Sequence, residues 1–300
     1  MRVLTFGATG VQGGPVARRL LEEGHDVRAL VRHPAQAALL SDAGVELKVG
    51  DLGDRDSLDA ASRGADAVFL HVPLVFDMET GLAYARNAVD AARGAGAELL
   101  VLNISGITLA EDSGCLHLDV KRGIEAYCRE SGLPTIILRP SVYMEVLQEA
   151  DVRSGIVDGT LAYPLPTGHR VSWLAVEDIA AIAVAAIERP ELAGSAFEIG
   201  GPEPLNGDQL AAKFSVALER PISYQAIRGR DFSELLRSTL GDQVGGVIGD
   251  HFVYLESGSP DYLAIEDAEA TAAEFGVELT RVEDWAASRD WTPAPAAPAA

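Results

Sequence analysis

The stretch FGATGVQGG, residues 6–14, constrains this chain more than any other. It follows the first apolar run, RVLTF (2–6), carries glycine at positions 7, 10 and 13, and leads into a helical pattern over 14–23 with Val16, Leu20 and Leu21 on one side. At such a strand-to-helix junction a dinucleotide-binding chain sets a pyrophosphate against the helix N-terminus. A side chain at Gly7 would crowd the turn, one at Gly10 would keep phosphates off the backbone, and Gly13 lets helix and strand pack closely. The spacing is G-x-x-G-x-x-G, not G-x-G-x-x-G, so the motif takes its weight from its place between the first strand and the first helix. An ordinary glycine-rich loop would show the same letters elsewhere.

Downstream, short apolar runs alternate with helical patterns. DVRALVR (26–32), VELKVGD (45–51), AVFLHVP (67–73), ELLVLNIS (98–105) and TIILRP (135–140) read as strands, with helices near 55–63, 80–94 and 118–131. Such alternation predicts an α/β Rossmann-type doubly wound parallel sheet, and near-continuous apolar strands fit burial on both faces. A helix over 176–190 is expected to pack back on this first domain (1–150). A strand at 196–201 and a helix over 206–220, with Asn206 and Asp208 as capping candidates, fall in a smaller C-terminal α/β substrate region (151–290). Residues 229–262, with Gly245, Gly246 and Gly249, suit a lid over a ligand, and the Pro/Ala-rich end, 291–300, reads as a disordered tail.

Charge narrows the partners. Asp and Glu number 45 against 24 Lys and Arg, a net −21, which repels nucleic acid and anionic lipid. The two cysteines, Cys115 and Cys128, form no disulfide framework and match no metal spacing, and no histidines pair at ligand spacing, so no metal is expected. Without a signal-like start or a long apolar helix, a cytoplasmic protein, monomer or homodimer, is the expectation.

The second strand ends LVRHP, placing Arg32 at 19 positions past Gly13. NAD-binding chains carry Asp or Glu near this point to hold ribose hydroxyls. A guanidinium there would pair with a 2′-phosphate, so NADPH is expected over NADH.

With GATGVQG, LVRHP, VGDLGD, NISG, HLDVK, ILRPSVYMEVL and VEDIA in this order, the chain resembles atypical short-chain dehydrogenases/reductases of the NmrA-like group over roughly residues 1–225. The resemblance implies that Gly7, Thr9, Gly10, Val11, Gln12 and Gly13 wrap the pyrophosphate, and that Arg32, with His33, takes the 2′-phosphate. It further implies that Asp51 and Leu52 flank the adenine, although Asp51 in GDLGD reads equally as a turn residue. His71, Val72 and Pro73 would line the pyrophosphate and nicotinamide ribose, Lys121 would hold that ribose, and Pro140 to Tyr143 would lie near the carboxamide. The wider superfamily reduces carbonyls with Ser, Tyr and Lys, the Tyr four residues before the Lys. Here Ser105 and Lys121 fill two of those positions and His117 stands in the third, at i,i+4 to Lys121 and so on the same helical face.

Hydride transfer to a ketone builds negative charge on its oxygen, which requires a hydrogen-bond or proton donor. His117, Ser105, Tyr143 and water all qualify. A neighbouring Lys121 ammonium favours a neutral imidazole, which donates one N–H without acting as an acid. Lys121 could instead be a surface lysine paired with Glu125. Leu74, Val75, Phe76, Tyr143 and Met144, with Phe232, Phe252 and Tyr254 from a lid near 229–255, are candidate walls for an apolar substrate. These features point to an NADPH-dependent ketoreductase acting on a carbonyl or quinone of an aromatic small molecule, such as a bacterial polyketide in secondary metabolism. The alternative within the resemblance is a non-catalytic NADP(H)-sensing regulator of the NmrA type.

Overall fold

The computed structural model describes residues 1–257 and 261–292. The residues expected to form the tail therefore lie, beyond 292, outside the described ones. In chain order the elements are β1 (Arg2–Thr5), α1 (Gly13–Glu22), β2 (Asp26–Val31), α2 (Ala38–Asp42), β3 (Glu46–Val49), α3 (Arg55–Ser62), β4 (Ala67–His71), α4 (Met78–Gly94), β5 (Leu99–Asn103), α5 (Leu116–Glu130) and β6 (Thr135–Pro140). There follow α6 (Ala150–Val157), β7 (Thr160–Tyr163), β8 (Val171–Ser172), α7 (Val176–Ile187), β9 (Ala196–Ile199), β10 (Pro204–Leu205), α8 (Gly207–Ala217), β11 (Ser223–Ala226), α9 (Gly229–Glu256), α10 (Ala268–Glu274) and α11 (Val282–Ser288).

The chain forms two compact units, and both are discontinuous. The first comprises Met1–Pro140, Val176–Ile199 and Ala270–Glu278. Its seven strands run parallel in the order β3-β2-β1-β4-β5-β6-β9, the Rossmann-type doubly wound sheet. Helices α3, α4 and α5 cover one face, while α1 and α7 pack together on the other. Covered on both sides, the central strands need no polar face, and β5 is buried along its whole length. The same logic explains α7, apolar nearly all round because it lies between α1 and the strands β4, β5 and β6. The sheet places the C-terminal ends of β1, β2, β4 and β5 along one edge, where loops can converge.

The second unit comprises Ser141–Ala175, Gly200–Glu269 and Leu279–Ala300. Within it β7 pairs with β11 and β8 with β10. Asn206 caps α8 through a reciprocal capping box with Gln209, as the sequence suggests, while Asp208 lies inside the helix and takes no part. Residues 229–256 are helical. They form two helical segments broken at Gly241, and Gly245 and Gly249 lie where the second crosses the first at Leu236 and Ser233. Phe252, half-buried, packs edge-on against Tyr163 and Phe232, and Met144 is fully buried in the core.

Candidate active site

The glycine turn is built as its spacing suggests. Gly7 has φ of +72°, a left-handed value that a side chain disfavours. The turn closes through Gly10 N–H to Gly7 O at 2.9 Å and Gly14 N–H to Gly10 O at 3.0 Å. Gly13 packs so close that a Cβ there would lie 2.4 Å from Gly7 O. Gln12 is the N-cap of α1, yet its side chain makes no capping bond, and the first turn holds no acidic residue. The start of α1 thus keeps its positive end toward the turn, ready for an anion.

Beside this turn lies a cavity of about 470 Å³. Gly7, Thr9 and Gly10 line it from the turn, Arg32 from the end of β2, Asp51 and Leu52 from beyond β3, and His71 and Pro73 from the end of β4. Arg32 is exposed and, among the described residues, makes no hydrogen bond or ion pair, which leaves its guanidinium for a ligand. Asp51 both lines the cavity and makes a turn, its Oδ1 accepting from Gly53 N–H at 2.8 Å. The Leu52 carbonyl is fixed by Asn87 Nδ2 at 2.9 Å.

A second cavity, about 180 Å³, shares His71, Pro73 and Leu74 with the first and therefore adjoins it. Gln12, Val72, Val75, Asn103, Ser105, His117 and Lys121 also line it, with Ile104, Val120 and Ile124 as its apolar remainder. Lys121, nearly buried, donates from Nζ to the Ser105 carbonyl at 2.6 Å and lies 2.9 Å from His117 Nε2. Burial pulls its ammonium down to about 7, with Cys115 opposing. The alternative pairing with Glu125 is absent. That carboxylate, held below the usual range despite burial, binds Arg139 at 2.6 Å, Arg129 and the Thr108 hydroxyl. His71 is pushed down to about 4, by burial first and by the Lys121 charge, with the Asn103 backbone opposing. Its Nδ1 is buried without a hydrogen-bond partner of acceptable geometry.

Sequence reasoning thus finds most of what converges here. It includes residues that the structure places elsewhere: Val11 is exposed, His33 is exposed ahead of the turn at Pro34–Ala37, Pro140 ends β6, and none of the three lines either cavity. Tyr143 belongs to the second unit, where it pairs with Leu174. The reading missed Asn103 as a site residue. A polar side chain closing the otherwise apolar strand LLVLN was the available signal.

A glycine turn at the end of β1, an uncapped helix start, an unpaired arginine at the end of β2 and a histidine lining both cavities fit the parts of a dinucleotide. The class defined is a Rossmann-type dinucleotide-binding protein with a polar side-chain cluster beside the cofactor cleft. The NmrA-like family model matches residues 1–286, and the chain belongs to that family. It is 32% identical over 296 residues to an NAD(P)H azoreductase of Xenophilus azovorans, covering 91% of this chain and 99% of that one. It is 34% identical over 228 residues to a (4-alkanoyl-5-oxo-2,5-dihydrofuran-3-yl)methyl phosphate reductase of Streptomyces griseus, covering 75% and 77%. Among solved structures, an NADPH-dependent quinone oxidoreductase of Escherichia coli in complex with NADPH superposes with a TM-score of 0.80 at 24% identity, covering 95% of this chain and 98% of that one. Among the described residues no helix is long and apolar enough to cross a membrane.

Proposed function

We propose that this protein is an NADPH-dependent reductase that delivers hydride to a carbonyl or quinone of an apolar, aromatic small molecule. One observation carries the reading above others. Ser105, from the loop after β5, and His117 and Lys121, from one face of α5, line one cavity, which adjoins the cleft of the glycine turn and Arg32. The names of the relatives, an NAD(P)H azoreductase and a second reductase, support it.

The Gly7–Gly13 turn and the start of α1 would seat the pyrophosphate, Arg32 the 2′-phosphate, Asp51 and Leu52 the adenine edge, and Lys121 the nicotinamide ribose. NADPH held there supplies the hydride. Ser105 donates its hydroxyl hydrogen to the acceptor oxygen as negative charge builds. Lys121 Nζ lies 2.9 Å from His117 Nε2, and where the ammonium donates to that nitrogen the imidazole keeps its Nδ1–H as a donor. Lys121 itself, poised near neutrality by burial, can yield a proton to the product oxygen and recover it from water.

Purified protein with NADPH and a panel of quinones, aromatic ketones and azo dyes tests this by loss of the reduced-nicotinamide absorbance. Turnover of a quinone or ketone is expected. Tight NADPH binding with no turnover across the panel overturns the enzyme reading in favour of a dinucleotide sensor. Failure to bind NADPH overturns both.

A further inference from the structure

Ser105 has φ of 55°, a left-handed conformation uncommon for a residue with a side chain. Three bonds hold it there. Its N–H donates to Asn103 Oδ1 at 2.9 Å, its carbonyl accepts from Lys121 Nζ at 2.6 Å, and its Oγ accepts from Gln12 Nε2 at 2.8 Å. The remaining half of the Gln12 amide, Oε1, accepts from Asn103 Nδ2 at 3.3 Å. Gln12, Ser105 and Asn103 therefore close a ring between the start of α1 and the end of β5, segments 93 residues apart.

The direction of every bond in this ring follows from one group that cannot be reversed. The Ser105 backbone N–H can only donate, so the Asn103 atom facing it must be the carbonyl oxygen. Asn103 Nδ2 is then turned to Gln12 and requires an acceptor, which fixes Oε1 on that side. Nε2 is left facing Ser105, and as an N–H₂ group it can only donate. The Ser105 hydroxyl must accept from Gln12, and its own hydrogen points elsewhere. Among the described residues that hydrogen reaches no protein acceptor, while Ser105 lines the cavity shared with His117 and Lys121. A free serine hydroxyl rotates among three staggered positions, whereas here the Gln12 N–H takes one of them and confines the hydrogen to the other two.

We propose that Gln12 is a positioning residue that sets the polarity of Ser105, keeping its hydroxyl a donor toward the bound acceptor. The inference rests on the reductase reading and gives a residue of the glycine turn a part in the chemistry through Ser105. A glutamate at this position can only accept, so it would capture the Ser105 hydrogen. A methionine has the same reach but neither donates strongly nor fixes direction.

The test compares Gln12→Glu, Gln12→Met and Ser105→Ala, alone and combined, by kcat at saturating NADPH with 1,4-benzoquinone as acceptor. Saturation separates kcat from the weaker NADPH binding that a carboxylate near phosphates also causes. Ser105→Ala should lower kcat on the order of 10²-fold, Gln12→Glu about as much, and Gln12→Met about 3- to 10-fold. In the Ser105→Ala background neither Gln12 change should lower kcat further. A Gln12→Glu variant with wild-type kcat, or one whose loss persists without the serine hydroxyl, overturns the proposal. Melting of the cofactor-free proteins supplies a readout independent of turnover. The shifts of Gln12→Met and Ser105→Ala should fall short of additive in the double variant, and simple additivity overturns the ring. Coupled melts with an unaltered kcat for Ser105→Ala would mean that the ring exists but the role given to Ser105 is wrong, and the proposal falls with that role.

Discussion

The two adjoining cavities are walled by different means. The larger is shaped by backbone: a turn at Gly7 and Gly10, an Asx turn at Asp51, and an Arg32 side chain that bonds to nothing among the described residues. The smaller is shaped by side chains that bond to one another, with Lys121, His117, Ser105, Gln12 and Asn103 joined by contacts of 2.6 to 3.3 Å. One wall waits for a partner and the other has largely supplied its own. This suits binding of a flexible charged ligand in the first and fixed orientation of reacting groups in the second. Substitutions should accordingly alter affinity in the larger cavity and rate in the smaller.

The largest effect is expected where backbone allows no adjustment. In Gly13→Val the new Cβ would fall 2.4 Å from Gly7 O, so turn and helix must separate. NADPH binding, followed by nicotinamide fluorescence, should be lost, and the melting temperature should fall by several degrees. Retention of wild-type affinity would mean that the turn does not seat the ligand. Arg32→Glu follows. Replacing a donor fork by a carboxylate should weaken NADPH on the order of 10³-fold while changing NADH affinity less than about threefold. Equal weakening of both would remove Arg32 from the phosphate.

In the smaller cavity Lys121→Met should lower kcat on the order of 10²-fold and leave NADPH affinity within about tenfold. A larger loss of affinity than of rate would erase the contrast between the cavities. A pH readout sharpens it. Burial brings Lys121 from 10.5 in the unfolded chain to about 7 in the fold. Between those values the unfolded state binds more protons, so wild-type stability rises with pH on this group's account. Lys121→Met lacks that gain. In cofactor-free protein the stability difference should move in favour of wild type from about pH 7 toward pH 10, and stay flat below about 7. A constant difference across the range would contradict the lowered ammonium.

The contrast also decides what could be read from the chain alone. The first unit was legible because strands buried on both faces leave apolar runs and helices leave their own period, as in β1 to β6 and α3 to α5. The glycine turn and Arg32 were legible because their roles follow from local backbone and position after a strand. His117 and Lys121 could be paired by helical spacing. The bond from Gln12 to Ser105 spans 93 residues and leaves no periodic trace. The return of the helix over 176–190 to the first unit was legible, whereas β9, which pairs with β6, and residues 270–278 join that unit with no local signal in the sequence. Short strands such as β8 and β10 are too brief to show a pattern, and Gly245 and Gly249 mimic loop residues although they allow one helix to cross another.

Asp51 tests the contrast at its finest, because it sits in the larger cavity yet already has a bonding partner. Its Oδ1 accepts from Gly53 N–H at 2.8 Å, and its carbonyl accepts from Asp54 N–H at 2.9 Å. An asparagine offers the same oxygen to Gly53 without the charge. If the turn is the main use of this side chain, Asp51→Asn should leave the melting temperature unchanged and alter NADPH affinity less than about threefold. Asp51→Ala would lose the Asx bond, worth about 1 kcal/mol, and should melt about 2 °C lower. A carboxylate that instead grips a hydroxyl of the bound dinucleotide predicts the opposite order, with Asp51→Asn costing affinity at full stability. Titration of both variants with NADPH, beside their melts, separates the two uses, since charge acts on affinity alone and the turn acts on stability.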